Sequence, residues 1–221
     1  MALQIQVVGV YTRKQRQWIL FRYGYFDFQG GNGVYWEEEK GLSATGTPGE
    51  TSTIVYEGTE ITTYTTSSGK THIMYKQNDG PWAGIKYGSQ TIGDIGCPTA
   101  AAATALSGLG YTYTPGDFVK INQNGLTPTI NEKLGGKYKI SSFKSNVQKQ
   151  LIIGSLQNGY PVIIHANGSS IYTNSQHYLV FLDISEDNSK IYVATGYSIA
   201  KEGWYDIDVA LKGVDWWYEI Q

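Results

Sequence analysis

Short segments of alternating apolar and polar residues fill the first third of the chain. Between residues 3 and 66 they read LQIQVVGVY, QWILFRYGYFDF, STIVYEG and EITTYTT, separated by turn-forming stretches at 30–33 (GGNG) and 45–50 (TGTPGE). Alternation bounded by such turns is typical of antiparallel strands and hairpins. Residues 1–74 are therefore predicted to be β-rich, as an accessory module or as an extension of the sheet that follows.

The pattern of apolar and polar residues changes at Tyr75. An aperiodic stretch to Gly96 is interpreted as a loop, and an alanine-rich run, PTAAAATALSGLG, covers residues 98–110. Alanine has the highest helix propensity, proline is favoured in the first turn of a helix, and glycine is favoured where a helix ends. A helix is therefore predicted to begin directly after Cys97.

Two more helices are predicted downstream. The sequence TPGD from Thr114 is a start signal for a short helix that ends near residue 124. Residues 146–158 carry apolar side chains at helical spacing, Ser145 and Gln148 fit a capping box, and a glycine follows as a stop signal.

Three runs rich in β-branched and aromatic residues follow these helices. They are residues 160–166 (YPVIIHA), 176–184 (QHYLVFLDI) and 190–195 (KIYVAT), the last two joined by a polar turn. Helices followed by antiparallel strands define an α+β domain, with the helices packed on the sheet. We expect this domain over residues 75–221, preceded by the β-rich module over residues 1–74.

Composition restricts the partners and cofactors. The 221 residues carry a formal net charge of −2, one cysteine and three histidines. A single cysteine allows no internal disulfide and no Cys-based zinc cluster, and scattered histidines without a carboxylate motif do not predict a metal site. The small net charge predicts no nucleic-acid partner, and no apolar run reaches the roughly 18 residues of a membrane span. We therefore expect no cofactor, no nucleic acid and no membrane.

The location follows from the N-terminus and the composition. Gln4, Gln6 and Gly9 interrupt the first apolar stretch, so a classical signal peptide is not predicted. The 27 Gly, 18 Tyr and charged fraction of 16% suit a β-rich extracellular or virion protein better than a helical cytosolic enzyme. We expect a virion or extracellular protein that is released by lysis or carried inside a virus particle.

Cys97 and His177 are the residues that could carry chemistry. A cysteine where a loop meets a helix N-terminus lies near unpaired N–H groups, which favour the thiolate. His177 begins a predicted strand, where a polar side chain can face a cleft, and together the two residues would make a nucleophile and its base, resting as an ion pair. On spacing alone, however, a lone cysteine beside an alanine run is more often a buried packing residue, and a histidine such as His177 is as often structural as functional.

The remaining histidines and tryptophans have simpler interpretations. His72 and His165 lie in β-runs and are interpreted as packed or edge residues. Trp204, Trp216 and Trp217 are interpreted as core or sheet-edge aromatics, with a carbohydrate- or peptide-binding surface as the alternative.

The sequence also resembles a known family. Residues 75–115, YKQNDGPWAGIKYGSQTIGDIGCPTAAAATALSGLGYTYTP, resemble the nucleophile region of papain-like cysteine peptidases related to the bacteriocin-processing, double-glycine leader peptidases. Downstream, GYPVIIH and SQHYLVFLDI resemble a Gly-x-Pro-Val strand and the strand of the catalytic histidine in that family. The resemblance covers roughly residues 75–196 and implies a papain-like fold.

The resemblance also implies roles for individual residues. Cys97 would be the nucleophile, and His177 the base that later protonates the leaving amine. The oxyanion would be held by the Cys97 N–H and a side-chain amide, for which Gln90 is the first candidate and Gln77 the second. The orienting Asp or Asn of the family falls on Thr195, which would accept the imidazole N–H through its hydroxyl or leave a backbone carbonyl to do so. This is a departure from the family pattern, as is the absence of a residue between Cys97 and the following Pro-Thr.

These observations lead to one main hypothesis and two alternatives. The main hypothesis is a phage- or virus-encoded cysteine endopeptidase that cleaves peptide cross-links of a cell-wall polymer, with residues 1–74 attaching it to virion or tail proteins. One alternative is a leader-peptide-processing protease. The other is a structural virion or tail protein that retains the peptidase fold with impaired chemistry.

Overall fold

The computed structural model describes residue 44 and residues 46–119, 149–197 and 200–220. The strands in these ranges are β1 (Thr51–Tyr56), β2 (Thr59–Thr65), β3 (Thr71–Ile73), β4 (Lys86–Tyr87), β5 (Gln90–Thr91), β6 (Val162–Asn167), β7 (Gln176–Ile184), β8 (Lys190–Ala194), β9 (Gly203–Asp206) and β10 (Val214–Glu219). The helices are α1 (Ile92–Ile95), α2 (Cys97–Ser107), α3 (Pro115–Val119), α4 (Lys149–Gln157) and α5 (Ile207–Leu211).

A five-stranded antiparallel sheet forms the centre of the domain. Its strand order is β10-β6-β7-β8-β9, so β7 is the central strand. A polar turn joins β7 to β8, and Asn188 adopts a φ of 58° there, a conformation that asparagine tolerates better than most residues. The connection from β9 through α5 to β10 takes the end of the chain from one edge of the sheet to the other.

Alternation along the strands gives the sheet two buried faces. Ile163 and Val180 share one core cluster with α2, whereas Ile164 and Leu179 belong to a second cluster with α4 and α5. Because successive side chains point to opposite faces, each strand contributes to both clusters. The five-stranded sheet is therefore covered by helices on both sides.

Helix α2 is buried along almost its whole length. Its residues 99–106 are all buried, and it contacts β7 on one side and β3 and α3 on the other. A helix that is apolar all round is one that neighbours surround, and its small alanine side chains let those neighbours approach closely. This explains why the run that predicts the helix contains so many alanines.

The small sheet of β1, β2 and β3 is tied to the central strand by Asp183. One carboxylate oxygen accepts hydrogen bonds from the Tyr64 hydroxyl at 2.9 Å and the Ser67 N–H at 2.7 Å, and the other accepts from the Ser67 hydroxyl at 2.7 Å. The Tyr64 ring also stacks on Tyr192 of β8, with ring centres 3.5 Å apart. Asp183 therefore holds the small sheet against the central sheet, and it does not orient the ring of His177.

Contacts also link β3 to α2. The Ser107 hydroxyl accepts a hydrogen bond from the Ile73 N–H, and the Thr104 hydroxyl accepts one from the Tyr75 N–H. The described part of the first 74 residues therefore packs on the domain that follows it. Whether residues 1–74 act as a separate module stays a prediction.

The α+β class predicted from the sequence is confirmed. The alanine-rich helix and the three predicted strands are found within one or two residues of their expected bounds. The predicted strands in residues 1–43, the end of the second helix and the start of the third, with its capping box, lie outside the described residues. Within the described ranges, no helix has both the length and the apolar character that a bilayer span requires.

The loop interpretation of residues 75–96 is wrong in part. This stretch contains β4, β5 and α1, and α1 begins where Thr91 and Asp94 bond each other: the Asp94 carboxylate accepts from the Thr91 N–H at 3.0 Å and its hydroxyl at 2.7 Å. Strands β9 and β10 and helix α5 were also not predicted. Asp206, whose carboxylate caps the N–H of Asp208, was the available signal for α5.

Candidate active site

The helix that carries Cys97 begins at that residue. Gly96 is the N-cap of α2, and a Cβ atom there would lie 2.4 Å from Ile92 Cγ2 and 2.5 Å from its carbonyl oxygen. Only glycine fits this position, and Pro98 occupies the first turn, where a missing N–H costs nothing. Gly-Cys-Pro therefore starts the helix without a capping side chain over Cys97.

The half-buried Cys97 thiol lies beside the start of β7. The backbone N–H groups of Tyr178 and of Cys97 itself act to lower the pKa of the thiol, so Tyr178 lies close to the sulfur. Tyr178 directly follows His177 in the strand. The fold thus places the thiol against the backbone next to the predicted histidine.

His177 is buried, and its ring is held by a main-chain oxygen. Its Nε2 lies 2.7 Å from the backbone carbonyl oxygen of Thr195, the residue that follows β8. A carbonyl can only accept, so Nε2 carries the proton and Nδ1 of the neutral ring is left as the basic nitrogen. Thr195 therefore contributes its carbonyl, and not its hydroxyl, to this contact.

Burial governs the protonation of both residues. It lowers the pKa of His177, against the opposing effect of the bond to Thr195, and the nearby charge of His165 lowers this pKa further. Burial raises the pKa of the Cys97 thiol, while the two N–H bonds act in the opposite direction. These shifts favour a neutral thiol and a neutral imidazole over the ion pair that the sequence predicts at rest.

The two candidate amides lie in different environments. Gln90 is exposed on β5, where its backbone pairs with Tyr87. Gln77 is buried, and its Nε2 donates a hydrogen bond to the Gly93 carbonyl at 3.0 Å, four residues before Cys97. The oxyanion role stays a prediction for both residues, and burial beside the nucleophile helix favours Gln77.

A second histidine, His165 on β6, makes a hydrogen bond to a carboxylate that the sequence did not indicate. Val214 pairs with Ala166 and Trp216 with His165, so Asp215 is the extra residue of a bulge in β10. His165 Nδ1 lies 2.6 Å from the Asp215 carboxylate. Asp215 was not predicted as a site residue, because its strand was not predicted and it lies in no motif.

The third histidine belongs to the core. His72 is buried between β3 and α2, and its Nδ1 donates a hydrogen bond to the Thr104 carbonyl oxygen at 3.0 Å. Burial is the main reason why its pKa is lowered to about 4. Among the described residues, no group of three or more His, Cys, Asp or Glu side chains is placed to hold a metal ion.

A family model decides the class of protein. The model of the Peptidase_C39 like family matches residues 71–220, which is most of the chain. The chain belongs to this family. No curated relative matches it significantly.

Membership in the Peptidase_C39 like family agrees with the architecture described above. A helix headed by Cys97 packs on an antiparallel sheet whose central strand carries the predicted histidine as its second residue, as expected for a papain-like peptidase domain. The predicted relation to papain-like peptidases is thereby confirmed. The match supports a cysteine peptidase as the class of protein.

Proposed function

We propose that the protein is a cysteine endopeptidase that cleaves peptide cross-links of a cell-wall polymer, with Cys97 as nucleophile and His177 as base. The observation that carries the catalytic part is the pair of contacts at the head of β7. The backbone N–H of Tyr178 acts to lower the pKa of the neighbouring Cys97 thiol, and the Thr195 carbonyl fixes the ring of His177 with Nδ1 unprotonated. Together with the family match, this arrangement supports thiol-based peptide hydrolysis.

The proposed reaction uses the neutral pair. Nδ1 of His177 accepts the thiol proton as the sulfur attacks the peptide carbonyl carbon, and the Thr195 carbonyl stabilises the imidazolium that forms. The N–H of Cys97, in the first turn of α2 where amides lack helical partners, faces the oxyanion together with the Gln77 amide. His177 then protonates the leaving amine, and water releases the acyl group by the reverse transfers.

The wall substrate and the location rest on the character of the sequence. A low charged fraction and many Gly and Tyr residues suit a protein that works outside a cytosol. We propose a phage- or virus-encoded enzyme, associated with a virion or tail through residues 1–74.

Zymography on purified cell walls of several chemical types tests this function. The full chain should give a clearing band that disappears after thiol alkylation and in Cys97→Ala and His177→Ala. Asp208→Asn, an exposed change on α5, serves as the matched control and should clear the wall normally. Absence of clearing on every wall type, together with intact hydrolysis of a soluble peptide, would reject the wall substrate and keep the peptidase.

A structural virion protein with impaired chemistry is the second candidate. It is favoured by one specific observation, that a carbonyl and not a carboxylate holds the His177 ring, which leaves an imidazolium without a full counter-charge. If no wall or soluble peptide is cleaved by a chain that is shown to be folded, this candidate replaces the enzyme.

A further inference from the structure

The His165–Asp215 pair lies on the same face of the sheet as Tyr178. Residues that pair across neighbouring strands share a face, and His165 pairs with Tyr178 on β7 and with Trp216 on β10. The His165 ring stacks on Trp216 with centres 4.6 Å apart and planes inclined by 1°, and Tyr178 packs edge-on to it at 5.0 Å. The bulge at Asp215 brings a carboxylate onto this aromatic surface.

The two side chains of the pair differ in their exposure to solvent. The His165 side chain is 8% exposed, whereas the Asp215 side chain is 39% exposed. His165 is therefore the buried member of the pair, and its Nδ1–H donates a hydrogen bond to one carboxylate oxygen of Asp215. The carboxylate of Asp215 itself reaches solvent. A carboxylate that is held in place at the surface can bind a positively charged group.

Tyr178 connects this surface to the nucleophile. It lies on β7, against which the helix of Cys97 packs, and its ring lies 4.9 Å from that of Trp216. The pKa of its phenol is raised, first by burial and then by four neighbours: Tyr218, Cys97, Tyr87 and Asp215. Cys97 and Asp215 are thus both close enough to Tyr178 to act on its phenol.

The spacing between the strands near the two groups follows from the sheet. Asp215 is on β10, the second strand from β7, and adjacent strands are about 4.8 Å apart, so its strand lies on the order of 10 Å from β7, the strand against which the Cys97 helix packs. An extended peptide advances about 3.3 Å per residue. A substrate residue within about three positions of the scissile bond can therefore place its side chain at Asp215.

We propose that Asp215, supported by His165 and bordered by Tyr178 and Trp216, is a subsite for a cationic, lysine-like side chain of the peptide substrate. A carboxylate attracts the ammonium group, and neighbouring aromatic faces favour its desolvated approach. Among the described residues, Asp215 accepts a hydrogen bond from His165, and no lysine or arginine is paired with it. The subsite rests on the proposed peptidase function and names a feature of its substrate.

Charged thiol reagents test the subsite without requiring turnover. Cys97 is the only cysteine in the sequence, so the reaction of the full chain with methanethiosulfonates reports on this position alone. We would compare the rates for a trimethylammonioethyl reagent and a sulfonatoethyl reagent of similar size, each normalised to its rate with a free thiol. The native protein should prefer the cationic reagent, and raising the salt concentration should bring the ratio towards one.

Variants then assign the preference to Asp215. Asp215→Asn should lower the cation-to-anion rate ratio about fourfold, the effect of one charge at about 10 Å in water acting oppositely on the two reagents. Asp215→Glu should retain the ratio. Asp208→Asn removes the same charge from α5, on the opposite face of the sheet, and should leave the ratio unchanged. Equal ratios in Asp215→Asn and the native protein would overturn the subsite.

Peptide hydrolysis separates this inference from the proposed function. Among matched peptides, those with lysine near the scissile bond should have a higher kcat/KM than those with norleucine, and Asp215→Asn should remove the difference. Hydrolysis without any lysine preference in the native chain would reject the subsite and keep the peptidase. A reagent preference that depends on Asp215 in a chain that cleaves no peptide would keep the cation site and reject the enzyme.

Discussion

Nε2 of His177 lies 2.7 Å from the backbone carbonyl oxygen of Thr195. The position at which the related peptidases carry an orienting Asp or Asn is thus filled by the main chain. A carbonyl fixes the ring and its tautomer as a carboxylate would, without adding a full negative charge.

The first prediction follows from this contact. Thr195→Ala keeps the carbonyl and should reduce kcat/KM on a soluble peptide less than about threefold, whereas His177→Ala removes the base and should cost about 100-fold or more. Steady-state kinetics on the full chain check both values. A loss in Thr195→Ala as large as that in His177→Ala would show that the buried hydroxyl, and not the carbonyl, supports the base.

The second prediction concerns the pH dependence of the thiol. Burial raises the pKa of Cys97 above its ordinary value, so at a given pH the folded chain should contain less thiolate than the unfolded chain. The rate of iodoacetamide modification should therefore rise with pH to a midpoint that is higher in the native protein than in denaturant. A native midpoint below that of the unfolded chain would indicate a thiolate–imidazolium pair at rest.

The third prediction concerns the link between Asp183 and the small sheet. Its two carboxylate oxygens accept four hydrogen bonds, the fourth from the Ile184 N–H at 2.9 Å. Asp183→Asn would turn an NH2 group towards donors, so we expect unfolding free energy to fall by roughly 2–4 kcal/mol. Urea denaturation measures the change, with exposed Asp208→Asn as the control that should be nearly neutral.

The nucleophile helix was predictable because its signals are local. Glycine at 96, proline at 98 and the alanine run each act within one turn, and the strand of His177 is a continuous β-branched and aromatic run. The family resemblance identifies Cys97 and His177 as a catalytic pair, which their spacing in the sequence does not do by itself. Fold class and catalytic candidates could therefore be taken from the sequence.

The features that the sequence did not decide depend on tertiary pairing. Asp215 meets His165 only because β10 crosses to pair with β6 and bulges there. The choice between Gln77 and Gln90 depends on which of them the fold buries, and the choice between the Thr195 hydroxyl and carbonyl depends on how the fold sets the His177 ring. Sequence motifs do not reveal main-chain groups or bulges, because almost every residue supplies the same backbone donor and acceptor.

The fourth prediction uses two glycines with opposite surroundings. A Cβ atom on Gly108, at the end of α2, would lie 2.1 Å from Cε1 of the buried His72 ring, whereas one on Gly154 in α4 would meet nothing within 4 Å. Gly108→Ala should destabilise the protein by about 1–3 kcal/mol through overpacking. Gly154→Ala should stabilise it by about 0.5–1 kcal/mol through helix propensity. Thermal or urea unfolding of both variants checks the signs, and similar values for the two would contradict this packing.

The last prediction concerns acid stability. His72 has a pKa of about 4 in the folded chain against 6.5 for the ordinary imidazole, because its ring is buried. Between these values the unfolded chain binds a proton that the folded chain does not, so His72 contributes stability above pH 6.5 that is lost as the pH falls towards 4.

The full loss from this one group is roughly 3 kcal/mol. His72→Gln keeps a donor for the Thr104 carbonyl but cannot titrate, so its unfolding free energy should be lower at neutral pH and should fall less steeply on acidification. Urea denaturation at a series of pH values measures the two slopes. Above neutrality, where His72 is uncharged in both states, the two proteins should show the same slope. Equal slopes in the acidic range would mean that other groups, and not the buried His72 ring, cause the acid sensitivity.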